Sequence, residues 1–271
     1  MNAEQGATVS NEPILSIRNL VKRFGGLTAV NDVSLDISPG EVVGLVGDNG
    51  AGKSTLIKCV SGVHHPDTGK IIFEGDEVHF SRPIEARQAG IETIYQDLAL
   101  AENLDVSANI FLGREVKNRY LFGAVRTLNE KHMRAESSKT LDSLGIEIPQ
   151  MRKEIEKLSG GQRQAVAVAR AVYWKARLMI MDEPTNNLGV PEQRKVMSVI
   201  DTLRESGVPV IFISHTLPDV FAIADRVVIM HRGRKVADMP TADTNATEVV
   251  EFMVGAREQP GLEAEAHAAS A

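Results

Sequence analysis

Glu41-Val42-Val43-Gly44-Leu45-Val46-Gly47-Asp48-Asn49-Gly50-Ala51-Gly52-Lys53-Ser54-Thr55 is the stretch that decides the fold. Glu41 to Val46 reads as a short buried strand, and Gly47 to Thr55 follows the spacing G-x-x-x-x-G-K-S/T. Glycines at those positions let backbone N–H groups turn inward around phosphate, and the start of a following helix adds its positive dipole end. Lys53 is placed to reach β- and γ-phosphates, and the Ser54 hydroxyl to ligate Mg²⁺. A strand, a phosphate-cradling loop and a helix in that order point to an α/β protein.

Further along, Leu178-Met179-Ile180-Met181-Asp182-Glu183 is an apolar strand ending in two carboxylates. Asp182 can hold the water shell of a bound Mg²⁺, and Glu183, one step on, can polarise an attacking water. A second apolar run, Val208 to Ile213, follows the helical stretch Pro191 to Glu205, an alternation that implies parallel strands joined by a crossover helix. Together with the glycine-rich loop, these acids indicate nucleotide binding. They do not separate kinases, helicases and GTPases from one another.

Outward from this core, Ile14 to Ile37 reads as strands joined at Gly25-Gly26. Lys70 to Glu74 and Glu77 to Phe80 flank Gly75-Asp76 as a hairpin. Helical periodicity dominates Leu98 to Trp174. Arg226 to Met230 and Arg234 to Asp238 read as a last hairpin, and Ala246 to Val254 as a short helix. Residues 1–13 and 256–271 are expected to be disordered tails. The sequence shows no internal repeat and no second phosphate loop.

Composition narrows the setting. The 271 residues are 43% hydrophobic and 24% charged, ordinary for a globular chain, and the net charge of −6 argues against a general nucleic-acid binder. The single cysteine, Cys59, forms no internal disulfide and is read as packing in a reducing compartment. No apolar run reaches the roughly 18 residues that a membrane span requires, and Met1 to Pro13 lacks the pattern of a secretory signal. A cytoplasmic location, with any membrane role peripheral, is the expectation.

Leu158-Ser159-Gly160-Gly161-Gln162-Arg163-Gln164 precedes the helix Ala165 to Tyr173 and offers a hydroxyl and close N–H groups at a second helix start. With the phosphate loop before it and Asp182-Glu183 after it, this turn resembles the signature motif of ATP-binding cassette (ABC) proteins. The resemblance runs from about Ile14 to Gly255. It implies a P-loop NTPase core with a mixed or parallel sheet, an antiparallel β subdomain, and an α-helical signature subdomain over about residues 98–174, all within one domain of residues 14–255.

The resemblance also implies roles for single residues. Gln96 is similar to the glutamine that senses Mg²⁺ and the attacking water, His215 to the switch histidine that contacts the γ-phosphate, and Phe24 to the aromatic that stacks on adenine. Ser159, Gly160, Gly161 and Gln162 would meet ATP held by a second copy of the chain, so a homodimer is implied. Hydrolysis would be in-line attack of water on the γ-phosphoryl group, with Glu183 as base. At Pro184-Thr185-Asn186-Asn187-Leu188-Gly189 the sequence departs from the family, where many members carry a small pair and then an aspartate. Altered coupling between two ATP sites is the expectation drawn from that departure.

Leu104 to Glu115 resembles the corresponding stretch of monosaccharide importers. That likeness implies an ATPase working with polytopic permease subunits and, indirectly, a periplasmic solute-binding protein, on the inner face of the membrane. A soluble ATPase acting on ribosomes or nucleic acid is the competing reading, and a binding module without catalysis is a third.

Overall fold

The protein is described by a computed structural model over residues 12–95, 100–120, 125–146, 148, 150–186, 188–257 and 259. The chain opens with two long antiparallel strands, β1 (Leu15–Phe24) and β2 (Leu27–Ile37). Next come β3 (Val42–Val46), α1 (Lys53–Val60), β4 (Thr68–Phe73) and the two-residue β5 (Asp76–Glu77). α2 (Pro83–Ala89) and β6 (Ile91–Ile94) lead into α3 (Val106–Ile110), the hairpin β7 (Lys117–Tyr120) and β8 (Val125–Leu128), α4 (Glu130–Ser143) and α5 (Gly160–Tyr173). The remainder is β9 (Leu178–Asp182), α6 (Val190–Glu205), β10 (Val210–Ile213), α7 (Leu217–Ile223), β11 (Arg226–His231), β12 (Arg234–Pro240) and α8 (Ala246–Met253).

The central sheet runs β12-β11-β3-β10-β9-β6, parallel except for β12. Every residue of β3, β9 and β10 is buried, as expected for parallel strands covered on both faces, so these segments read as unbroken apolar runs. One face packs α5, α6, α7 and α8 through Val168, Ile200, Val220 and Phe252. The other carries α1 and the antiparallel sheet β2-β1-β4-β5, whose Ile17, Val30 and Ile71 meet Leu56 and Cys59. Cys59 is packing, as read from the sequence, and burial pushes its thiol up to about 11. A third cluster, with Ile110, Phe111, Met133 and Leu141, joins α3, α4 and α5.

A buried carboxylate ties this third cluster to the sheet. Glu92 on β6 lies 3.3 Å from Arg87 Nε on α2 and 3.5 Å from Arg114 beyond α3. Burial raises the Glu92 pKa against the pull of the arginines, Arg170 of α5 among them. Arg114 also lies 4.7 Å from the Trp174 ring, whose Nε1 donates to Ile110 O at 2.9 Å.

Six elements depart from the sequence reading. The 98–174 stretch is not helical throughout, because β7 and β8 pair within it: Tyr120, Val125 and Thr127 are strand formers, and an averaged helical period hides so short a hairpin. α2 and β6 were not anticipated, although Pro83 at the helix start and Gly90 in a left-handed C-cap are ordinary boundary signals. α7 was missed behind its own Pro218. The strand expected over Glu77 to Phe80 is confined to Asp76–Glu77. Among the described residues no helix is long and apolar enough to cross a membrane.

Gly44, in the middle of β3, lies directly beneath α7. A Cβ there would stand 2.5 Å from Val220 Cγ1 and 3.3 Å from Ala224 Cβ. Gly44→Val is therefore expected to cost about 2 kcal/mol through overpacking, which lowers the melting temperature by ~4–8 °C. Differential scanning calorimetry of the ligand-free protein checks this.

Candidate functional site

Strand register assembles the site. Ile213 of β10 sits opposite both Leu45 of β3 and Asp182 of β9, so the loops leaving the carboxyl ends of these three strands converge. In open parallel sheets that edge is where ligands bind.

The loop after β3 is held open by its glycines. Gly47 has φ +148°, and a Cβ on it would stand 2.2 Å from Met230 O; Gly52 has φ +103°, and its Cβ would meet Ala29 O at 2.4 Å. Asp48, Asn49 and Gly50 are exposed at the tip, while Ala51 is buried and donates its N–H to Asp48 O. Lys53, the first residue of α1, is 8% exposed, and its ammonium donates to Gly47 O at 2.7 Å and Asp48 O at 3.0 Å. The loop thus curls around its own cation. Burial lowers the Lys53 pKa, and Glu183, Asp182 and Asp48 oppose that shift. Ser54 and Thr55 follow in the first turn of α1, exposed and half-buried.

Asp182 closes β9 and is nearly buried. Desolvation raises its pKa above the usual carboxylate range, and the adjacent Glu183 adds to the rise. A hydrogen bond from Ser54 and the Lys53 charge work the other way. Glu183 leaves the strand with φ +55°, a left-handed conformation that costs a non-glycine residue about 1–3 kcal/mol. Its N–H donates to Ile213 O at 2.9 Å, and its carboxylate lies 2.7 Å from His215 Nδ1. One neighbourhood thereby holds Lys53, Ser54, Asp182, Glu183 and His215. The next residues are fixed by Asn186 N–H donating to Glu183 O and by Thr185 donating to Asp219 at 2.8 Å.

The Ser54 hydroxyl and Asp182 carboxylate suit Mg²⁺. They supply two hard oxygens, and the carboxylate is one whose charged form burial disfavours and a cation would restore. Mg²⁺ commonly takes one or two protein oxygens and completes its shell with water and phosphate. Among the described residues no cluster of three or more His, Cys, Asp or Glu side chains could cage a metal alone. Gln96, the third expected metal contact, lies outside the described residues, as does Asn187.

The Ser159 turn is built elsewhere, at the start of α5. Ser159 accepts from Gln162 N–H at 3.3 Å, while the Gln162 side chain accepts from Ser159 N–H at 3.1 Å, a reciprocal capping box. Gly160 approaches Leu188, and Gly161 approaches Glu192 of α6. Phe24, at the end of β1, is 44% exposed, with its ring 5.1 Å from that of His64 and 5.3 Å from Lys22 Nζ. His64, Thr185 and Glu192 were not singled out in the sequence. No local motif marks them, because each acquires its neighbour through the fold.

A strand, a phosphate loop and acids at the end of the next strand but one in the same sheet define a phosphate-loop nucleotide-binding protein. Residues 30–186 match the family model of the ABC transporter. The chain is 50% identical over 240 residues to the xylose/arabinose import ATP-binding protein XylG of Sulfolobus acidocaldarius, covering 89% of this chain and 93% of that one. It is 45% identical over 254 residues to the fructose import ATP-binding protein FrcA of Rhizobium meliloti, covering 93% and 98%. Among solved structures, the dimeric post-hydrolysis form of an ATP-binding cassette bound to ADP and Pi superposes with a TM-score of 0.71 at 22% identity, over 84% of this chain and 98% of that one. The chain belongs to the ABC transporter family and is an ATP-binding ATPase. The α/β cassette architecture expected from the sequence is the one observed.

Because a methyl group on Gly47 would collide with the Met230 carbonyl, Gly47→Ala must shift the loop's backbone. Strain of roughly 1–3 kcal/mol translates into a loss of ATP affinity of about tenfold or more. Titration with a fluorescent ATP analogue measures it.

Proposed function

We propose that this chain is the ATPase subunit of a monosaccharide importer, and that two copies sandwich ATP while driving a membrane permease. The sugar assignment is supported by the two import proteins it matches along nearly their whole length. The dimer is supported by the dimeric cassette that shares its fold. Peripheral attachment at the inner face of the membrane, through polytopic permease subunits that receive solute from a periplasmic binding protein, accords with the absence of a spanning helix among the described residues.

The observation that carries the catalytic reading is the convergence of Lys53, Asp182, Glu183 and His215 on one strand edge. Lys53 is the phosphate cation, and its ammonium exchanges the Gly47 and Asp48 carbonyls for phosphate oxygens. The loop Gly47 to Thr55 cradles the phosphates, and Ser54 with Asp182 would hold Mg²⁺, joined by Gln96 in the resemblance. When bound, Mg²⁺ neutralises charge on the phosphate oxygens. Glu183 takes the proton of the attacking water, and His215 orients that carboxylate across their 2.7 Å contact. Phe24 offers its exposed ring to adenine. Ser159, Gly160, Gly161 and Gln162 present the start of α5 to the γ-phosphate on the second copy, so a lone subunit lacks a complete site.

Glu183→Gln keeps the shape and removes the base. Turnover in a phosphate-release assay is expected to fall by about 10²–10⁴-fold, with ATP binding retained. Hydrolysis near the parent rate would remove Glu183 from this role.

A further inference from the structure

A cleft of about 210 Å³ lies between α5 and α6 beside the Ser159 turn. Val168, Val196 and Val199 form its apolar wall, and Gln164, Glu192 and Lys195 bring it polar groups. Gln164 is 5% exposed, and its Nε2 is buried with no hydrogen-bond partner. A buried amide donor left without an acceptor is costly, so this one calls for an oxygen.

Glu192 supplies a candidate oxygen a short swing away. At present its side chain lies across two glycines. A methyl on Gly161 would stand 2.5 Å from Glu192 Cγ and 3.7 Å from its carboxyl carbon, and one on Gly189 would stand 2.8 Å from Oε2. The aliphatic stem of Glu192 therefore covers Gly161 at the start of α5, while its carboxylate turns toward Gly189, the N-cap of its own helix α6, and stands at the edge of the Ser159 turn. A γ-phosphate brought to the same turn by a second copy would meet like charge.

We propose that Glu192 is a positioning residue with two resting places. In the lone subunit its stem covers Gly161 and its carboxylate, held beside Gly189 at the edge of the turn, opposes the incoming phosphate. On closure it swings into the cleft, where Gln164 Nε2 and the Lys195 ammonium, one helical turn along α6, receive it through charge-assisted hydrogen bonds. The inference rests on the ATP-sandwich reading above and adds a threshold to it. Subunits close only when the phosphate displaces the carboxylate.

The test uses the full chain carrying Glu183→Gln, with dimerisation followed against ATP concentration by light scattering. Adding Glu192→Ala is expected to lower the ATP concentration for half-dimerisation by about tenfold. Gln164→Leu is expected to raise it several-fold when Glu192 is present and to leave it unchanged alongside Glu192→Ala, a non-additivity that simple destabilisation of α5 would not produce. An unchanged or raised midpoint in Glu192→Ala overturns the proposal, as does an equal Gln164→Leu effect in both backgrounds. If the Glu183→Gln parent binds ATP yet stays monomeric at saturation, the sandwich reading itself fails and takes this inference with it.

Discussion

The ammonium of Lys53 is withdrawn from water at the base of a loop that offers it two carbonyl oxygens and the field of three carboxylates, Glu183, Asp182 and Asp48. Much of the rest of the molecule serves that arrangement. Parallel pairing of β3, β10 and β9 brings the loop and the acids to the same edge, and the close approach of Met230 and Ala29 to Gly47 and Gly52 sets the curvature of the loop. Asp182 and Lys53 are each disfavoured by burial in their charged forms and each is partly restored by the other. The pair is a preorganised electrostatic site, which the proposed phosphate and Mg²⁺ would complete.

The core and the helical lobe meet through a different kind of contact. Glu92, on the strand beside β9, is enclosed by arginines from α2, from the segment after α3 and from α5. Breaking a buried pair by removing one partner is costly even where the intact pair adds little net stability. Here that joint links β6 to α5, the helix that begins beside Ser159.

Local features were legible in the sequence. The phosphate loop announces itself because its glycines, lysine and serine are contiguous, and β9 and β10 because strands buried on both faces are apolar without interruption. The hairpin β11–β12 and the helix α8 were likewise readable from short runs bounded by turn residues. β6 and the β7–β8 hairpin were not, because polar residues such as Glu92, Thr93, Lys117 and Asn118 break the apolar run that marks a strand as short as β10. The placement of Glu192 over Gly161 was invisible for another reason: two glycines far apart in the chain leave a space that only the folded packing of α5 on α6 reveals.

The left-handed backbone at Glu183 carries a consequence for how such a protein can be improved. Glycine or asparagine relaxes that conformation, so the most stabilising exchanges at this position are those that delete the carboxylate. With Glu183 in its proposed role as base, selection for heat resistance alone would drift toward tougher subunits that hold nucleotide without hydrolysing it, and any engineering of a hardier importer has to score turnover alongside survival.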